Sequence, residues 1–575
     1  MNFSIHVQDL TLSLGSGTIL SKFSHEFQPG QWTHIIGPNG SGKTTLIRAL
    51  AGLIRPAQGF VYLNNTPIHD FSIQERARIL AYVPQRLEDI PPVRIIDFIE
   101  QSTFPWPTLT KAEIHHNALE ALKETGISSL QNHRLDLLSG GERQLCILAA
   151  ALAQNTDIIL LDEPTTGLDI HHSLKIFDIL QKISRQGKTV ISSTHDIPLA
   201  SQYADQTILL NDHSCLFHDA GFPDNTLLSQ VFHVDHFLPA KIPILKSTDQ
   251  ADISSSTQPN PQKIRWVIPC LILAILLCFC PWLGATTCIP WENDTAHQIF
   301  FHLRIPRVLL GALSGCILSI VGATFQALFK NPLATPYTLG VASGASLGAF
   351  IAIQFGLVSL LFLPAASCFG GLLTMAAVLF LSRNARHSWF CLMTGIAASM
   401  FCTAAGLVVQ SFATPITAQQ MMHWQLGGLD IVGYSTFITA PLLCLAIIIL
   451  FKYAQTLNIL SVDTELAISR GINFRRTQTI LLLITGIATS IIVSSCGPIG
   501  FVGLIIPNAL RRFFGADLRR LLPLSAITGA SFLILADTIS RLLERFAWIP
   551  VGVITALIGA PIFIYALFKS SSLRQ

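Results

Sequence analysis

Hydrophobic and polar positions follow two different patterns along this chain. Up to residue 245 the apolar runs are short and interleaved with polar stretches. Thr33–Ile36 reads as a β-strand followed by the helix-like "TTLIRALAGL", and "DIILLDE" at 157–163 reads as an apolar strand ending in two carboxylates. From residue 265 onward, long apolar segments recur near 266–287, 306–329, 335–357, 358–381, 388–413, 432–451, 477–497, 499–514, 521–543 and 549–568. Several are long enough to cross a bilayer; the one at 499–514 is interrupted by the glycines and prolines of "CGPIGFVGLIIPN". Between the two patterns, "STDQADISSSTQPNPQK" at 247–263 has no apolar period and reads as a linker. The expected fold is an N-terminal α/β domain at 1–245, a linker at 246–264, and an all-α polytopic membrane domain of about ten helices at 265–575.

Charge sharpens that division. Of the Asp, Glu, Lys and Arg residues, 46 fall in 1–265 and 25 in 266–575, while the formal net charge of +3 gives no sign of a nucleic-acid partner. Residues 1–30 lack a basic segment followed by an apolar stretch of signal-peptide length, so the N-terminal half is expected in the cytosol. With residue 263 inside and the spans alternating, the inner loops hold 15 Lys and Arg. The outer loops hold four: Arg304, Arg307, Arg541 and Arg545. This bias matches the positive-inside rule and an even number of spans, with both termini in the cytosol and the chain in a cytoplasmic (inner) membrane. Ten of the twelve cysteines, Cys270 to Cys496, lie in the apolar half without metal-ligand spacing and read as small core hydrophobes.

The chemistry begins at "GPNGSGKTT", Gly37–Thr45. Gly37, Gly40 and Gly42 allow backbone N–H groups to turn toward phosphate oxygens at a helix N-terminus. Lys43 is placed to reach the β- and γ-phosphates, and the Thr44 hydroxyl to bind Mg²⁺. Asp162 suits a Mg²⁺ contact, and Glu163 suits the orientation or deprotonation of an attacking water.

Between these elements stands "LSGGERQ", Leu138–Gln144, and here the chain resembles the ATP-binding-cassette family. The resemblance implies that Gly37, Pro38, Asn39, Gly40, Ser41, Gly42, Lys43, Thr44 and Thr45 hold ATP. It makes Gln85 of "AYVPQ" a Q-loop residue serving Mg²⁺ and catalysis, "TGLD" (Thr166–Asp169) the D-loop, and His195 of "ISSTHD" the switch histidine. In that family Ser139, Gly140, Gly141 and Glu142 of the signature close over ATP held by the opposite subunit, which implies a homodimer. One departure is Leu14, where the family usually offers an aromatic ring to adenine.

A second resemblance covers 300–569. "LRIPRVLLGALSG", "FKNPLATPYTLGVASGASLG", "GPIGFVGLIIPN" and "IPVGVITALIGAP" are similar to the ten-span permeases that import iron–siderophore complexes, haem and cobalamin. The fusion to a cassette departs from the family's common separate chains, as does Asn508 where histidine is common. The likeness implies ATP-driven import of an iron chelate or cobalamin delivered by an external binding protein, docked through Arg304, Arg307 and Arg541. It also implies coupling through the inner loop 452–476, with a helix capped at Ser461 or Asp463, stopped at Gly471 and docked near Gln85. Gly340, Gly344 and Gly348, like Gly311 and Gly315, are spaced for close helix packing. An exporter, or a cassette with a regulatory or assembly role, is the alternative.

Overall fold

The computed structural model describes residues 3–571 apart from 16, 88–89, 91, 234–266, 285–290, 292–293, 358, 360–361, 383–387 and 430–432. The expected linker at 246–264 lies outside the described residues, as does the side chain of Leu14. The chain forms two compact units: the N-terminal part together with Val462–Phe474, and the remainder.

The first unit contains, in order, β1 (Ile5–Leu14), β2 (Gly17–Phe27), β3 (Trp32–Ile36), α1 (Lys43–Leu50), β4 (Gln58–Leu63), β5 (Thr66–Pro67), α2 (Ile73–Ile79), β6 (Leu80–Val83), α3 (Ile95–Glu100), α4 (Lys111–Glu124), α5 (Gly140–Ala153), β7 (Ile158–Leu161), α6 (Ile170–Arg185), β8 (Thr189–Ser193), α7 (Ile197–Tyr203), β9 (Gln206–Asn211), β10 (Ser214–Ala220) and α8 (Asn225–Phe232). A six-stranded sheet has the order β10-β9-β3-β8-β7-β6, parallel except for the β10 edge. Every residue of β3, β7 and β8 is buried, as strands covered on both faces require. A four-stranded antiparallel sheet, β2-β1-β4-β5, packs with α1 over a core that includes Ile5, Leu10, Phe27, Leu46, Leu50, Leu160 and Ile191. Because β3, β8 and β7 are neighbours, their carboxyl ends bring residues 37–44, 193–195 and 162–163 to one edge of the sheet.

Val462–Phe474 belongs to this unit through a short helix, Thr464–Ser469. Asp463 is its cap, accepting from the Leu466 N–H at 2.9 Å, and Gly471 at φ 87° ends it. Leu466 and Ala467 are buried. Glu465 reaches Arg48 of α1 (3.1 Å) and accepts from the Tyr82 hydroxyl of β6 (3.3 Å); the Gln154 amide donates to the Ser469 carbonyl (3.3 Å). Arg470 is 1% exposed and lies over the Phe98 ring at 4.9 Å, with neither terminal nitrogen hydrogen-bonded among the described residues. Burial pushes its guanidinium down to about 9.

The second unit is helical: α9 (Val267–Phe279), α10 (Asp294–Ile299), α11 (Ile305–Leu328), α12 (Val341–Gln354), α13 (Phe362–Ser382), α14 (Ser388–Ser411), α15 (Pro415–Gln425), α16 (Ala440–Lys452), α17 (Ala454–Val462), then, beyond the Thr464–Ser469 helix (α18), α19 (Phe474–Cys496), α20 (Val502–Phe514), α21 (Leu518–Leu543) and α22 (Val551–Ser571). A helix stands in each of the ten apolar segments. Among the described residues five are long and apolar enough to cross a membrane, or six if α16 and α17, bent by 52°, form one broken span. Backbone breaks bound two of the others: Gly340 at φ 79° starts α12 and therefore does not share its helical face with Gly344 and Gly348, and Phe501 at φ 67° starts α20. A Cβ at Gly315 would collide with the Gly529 carbonyl, and one at Gly348 with that of Ala366, so small residues set the closest helix approaches.

The arginines expected to receive a binding protein are placed differently. Arg304 and Arg541 are 7% and 4% exposed. Arg304 donates to the Pro281 and Trp282 carbonyls, each at 3.4 Å, and Arg541 to those of Leu283 (2.7 Å) and Cys280 (3.1 Å). Asp537, fully buried, pairs with both Arg307 (2.7 Å) and Arg541 (2.9 Å), and Arg307 also lies 3.5 Å from Glu544. These guanidinium groups are committed to internal acceptors that tie residues 280–283 to α11 and α21, and Arg304 and Arg541 offer little surface to a partner. Asp537→Leu leaves two guanidinium groups around an apolar site and is expected to cost about 3–5 kcal/mol, read as a lowered thermal unfolding midpoint in detergent. An unchanged midpoint would show that the cluster does not fasten these elements.

Candidate ATP site

The loop after β3 turns through Gly40 (φ 83°) and Gly42 (φ 98°), conformations that L side chains rarely adopt, and delivers Lys43 to the first turn of α1. At Gly42 space decides as well as φ, because a Cβ would fall 2.7 Å from Ile19 Cγ2. Lys43 is buried and its ammonium donates to the Gly37 and Pro38 carbonyls, both at 2.9 Å. Burial pulls its pKa down, while Glu163 and Asp162 oppose that shift. Ser41 Oγ is buried without a hydrogen-bond partner among the described residues. An ammonium beside an orphaned hydroxyl inside a glycine loop is a donor set suited to phosphate oxygens.

At the end of β7, Asp162 accepts from the hydroxyls of Thr44 (3.1 Å) and Ser193 (2.8 Å). Burial raises its pKa, and those hydrogen bonds to the ionised form act against the rise. The pair Thr44 Oγ1 and Asp162 offers hard oxygen donors that fit Mg²⁺ shared with phosphates. Gln85 spends its amide nitrogen on Glu163 Oε2 (2.7 Å), which leaves its carbonyl oxygen as the atom able to meet a cation.

Glu163 is the point where these groups converge. Its Oε1 lies 2.6 Å from His195 Nε2, its Oε2 also accepts from the Thr166 hydroxyl (2.9 Å), and its backbone N–H donates to Ser193 Oγ (2.9 Å). Its φ of 46° is uncommon for a residue with a side chain and marks local strain at the strand end. A cavity of about 390 Å³ is lined by Ile19, Asn39, Gly40, Gly42, Lys43, Thr44, Thr45, Gln85, Glu163 and His195. Asp162 stands behind Thr44, and Gly37, Pro38 and Ser41 shape the loop beneath.

Ser139, Gly140, Gly141 and Glu142 do not line that cavity. They open α5, where Ser139 and Glu142 form a reciprocal cap: the Ser139 N–H donates to Glu142 Oε2 (2.9 Å) and the Glu142 N–H to Ser139 Oγ (3.4 Å). Sequence reasoning missed Ser193, which holds both acidic residues, and Ile19 in the cavity wall. Ser193 was signalled by its place two residues before His195 at the end of a buried strand. Ile19, in an ordinary alternating strand, carried no signal.

Residues 263–569 match the FecCD transport family and residues 20–166 the ABC transporter family. The hemin transport system permease protein of Yersinia pestis is 37% identical over 290 residues, covering 49% of this chain and 87% of that protein. The vitamin B12 import system permease protein of Yersinia enterocolitica is 33% identical over 325 residues, covering 55% of this chain and 96% of its own length. A solved inward-facing structure of a metal-chelate type ABC transporter aligns with a TM-score of 0.50 and 29% identity, over 53% of this chain and 98% of that one. The phosphate loop, the paired carboxylates and the apolar helices thus stand with these likenesses, and the chain belongs to the FecCD transport family: a multi-pass membrane protein that carries its permease and the ATP-hydrolysing domain of an ABC transporter on one polypeptide.

Proposed function

We propose that this protein is an ATP-driven importer of an iron chelate (siderophore or haem) or of cobalamin, delivered by a substrate-binding protein, working as a homodimer in the cytoplasmic membrane with its cassette in the cytosol and about ten spans. The observation that carries the reading is the seat of Glu465. One carboxylate of a segment that connects two permease helices touches Arg48, on the helix that begins at Lys43, and Tyr82, on the strand leading to Gln85. Nucleotide-dependent movement of either element is therefore felt by the chain that continues into α19. The named substrates of the hemin and vitamin B12 permeases favour a metal-chelate cargo.

Two features support the homodimer. The signature residues lie outside the cavity formed by their own chain, so a complete site calls for a second copy. Leu137 and Ile170, next to the signature and the D-loop, are 58% and 68% exposed apolar side chains that a partner cassette would cover.

In the proposed cycle the loop N–H groups, Lys43 and Ser41 hold the phosphates, and Glu163 accepts the proton of the attacking water. His195 and Gln85, both within hydrogen-bond reach of Glu163, keep that carboxylate oriented. Mg²⁺ held by Thr44, Asp162 and Gln85 would neutralise charge that develops on the phosphates. Closure of the two cassettes shifts the permease between access states because ATP binds the closed state better than the open one.

The whole reading is tested in proteoliposomes loaded with ATP: a ferric siderophore, haemin or cyanocobalamin, each offered with its binding protein, is expected to accumulate inside. Failure of all three, with ATPase activity intact, would reject import. Glu163→Gln is expected to retain ATP binding while lowering turnover by at least ~100-fold, the scale of a lost general base; near-normal hydrolysis would remove Glu163 from that role. Leu466→Asp, which puts a charge into the buried side of the Thr464–Ser469 helix, is expected to leave ATP binding intact and to lower transport per ATP hydrolysed. An unchanged ratio would show that coupling runs elsewhere.

A further inference from the structure

His172 lies in the first turn of α6, just past the D-loop, and outside the ATP cavity. Its backbone N–H donates to Asp169 Oδ1 at 2.8 Å, which caps the helix, and its ring Nδ1 lies 2.9 Å from both oxygens of the same carboxylate. That carboxylate is held well below the usual range, first by the backbone hydrogen bond and then by the ring. Another part of the ring rests on the signature glycine. A Cβ at Gly141 would fall 2.5 Å from the ring Cγ and Cδ2, so only glycine at 141 admits the imidazole in this position.

From Asp169 the contacts run back to catalysis. The Leu168 N–H donates to the Thr165 carbonyl (3.2 Å) and the Thr166 N–H to the Glu163 carbonyl (3.3 Å), while the Thr166 hydroxyl donates to Glu163 Oε2 (2.9 Å). A compact D-loop thus joins Glu163 to Asp169, and His172 joins Asp169 to the start of α5. The His172 side chain is 26% exposed, so it does not fill the core; Asp169 and Gly141 hold its two edges, and the His171 ring stands edge-on to it at 5.6 Å.

In the proposed dimer these two ends serve different nucleotides. Glu163 acts on the ATP of its own phosphate loop, and Gly141 closes over the ATP of the partner. We infer that His172 is a positioning residue that ties the two ATP sites together: it holds the signature helix in register with the D-loop, so that the state of Glu163 in one site sets closure over the other. This rests on the homodimer reading. Its physical content is a coupling free energy between two sites carried by one side chain with a fixed partner at each edge.

The test is the ATP dependence of hydrolysis by the full-length protein in nanodiscs, with its mass measured by light scattering. Wild type is expected to be dimeric with a Hill coefficient above one. His172→Ala is expected to bring the coefficient to one and lower kcat several-fold, with the affinity for a non-hydrolysable ATP analogue unchanged. His172→Gln, whose carboxamide can donate to Asp169 and lie flat against Gly141, is expected to restore cooperativity; a purely space-filling role would be rescued equally by His172→Leu. Unchanged cooperativity in His172→Ala, or equal rescue by Gln and Leu, overturns the inference. A dimeric wild type without cooperativity overturns it while leaving the dimer intact, whereas a monomeric wild type removes the homodimer reading and this link with it.

Discussion

The cassette depends on one carboxylate held where a buried strand runs out. Glu163 leaves β7 with a left-handed backbone, and its side chain receives Gln85, Thr166 and His195 from three separate stretches of chain. Gln85 reaches the site because β6 pairs with β7, and His195 because β8 pairs with β7 on its other side, while Thr166 follows Glu163 by three residues. Strain at φ 46° persists because Ser193 fixes the Glu163 N–H and the neighbouring Asp162 together. Sheet order, strand burial and catalytic geometry are therefore a single constraint: shifting the register of β7 against β8 would separate the base from its histidine.

What the sequence disclosed was local. The phosphate loop, "DIILLDE" and "LSGGERQ" carry their chemistry within a few residues, and apart from Ile19 the cavity is lined by residues that the phosphate loop, "AYVPQ", "DIILLDE" and "ISSTHD" name. What it concealed was long-range burial. Arg307 and Asp537 are 230 positions apart, so charge and topology placed the arginines at a rim while the fold buries them around an acid. The i, i+4 spacing of Asp537 and Arg541 was visible, but spacing does not report exposure. Likewise Ser461 and Asp463 were equivalent as caps on paper, and only the hydrogen bond to Leu466 separates them. The helix α15 carries no readable period because three glutamines and a histidine interrupt it. Asn508, a departure from the resembled pattern, proves to bridge the Pro332 and Leu504 carbonyls at 2.9 Å each.

The apolar helices also contain many hydroxyls, which by composition alone invite a reading as a polar pathway. Their partners argue otherwise. Thr324, Thr485, Thr489 and Thr538 each donate to the carbonyl four residues earlier, at 2.6–2.9 Å. Such back-bonding satisfies the hydroxyl within its own helix and leaves the surface of that turn effectively apolar. The close approach of α11 to α21 is then set by glycine, as at Gly315 against Gly529, while between α11 and α20 the Gln326 amide also donates across the gap to the Gly503 and Leu504 carbonyls at 3.2 and 3.3 Å.

Arg470 gives the Val462–Phe474 segment an unusual thermodynamic position. A desolvated cation whose terminal nitrogens find no acceptor among the described residues weakens the seat that the surrounding apolar and polar contacts build. Two separate chains meeting at nanomolar concentrations would need to overcome that cost through affinity alone. Here the segment and its seat are covalently linked, so docking is unimolecular and its effective concentration is set by chain connectivity, on the order of millimolar for short tethers. Fusion thereby lets a joint of modest intrinsic strength persist without the high affinity that two separate chains would need.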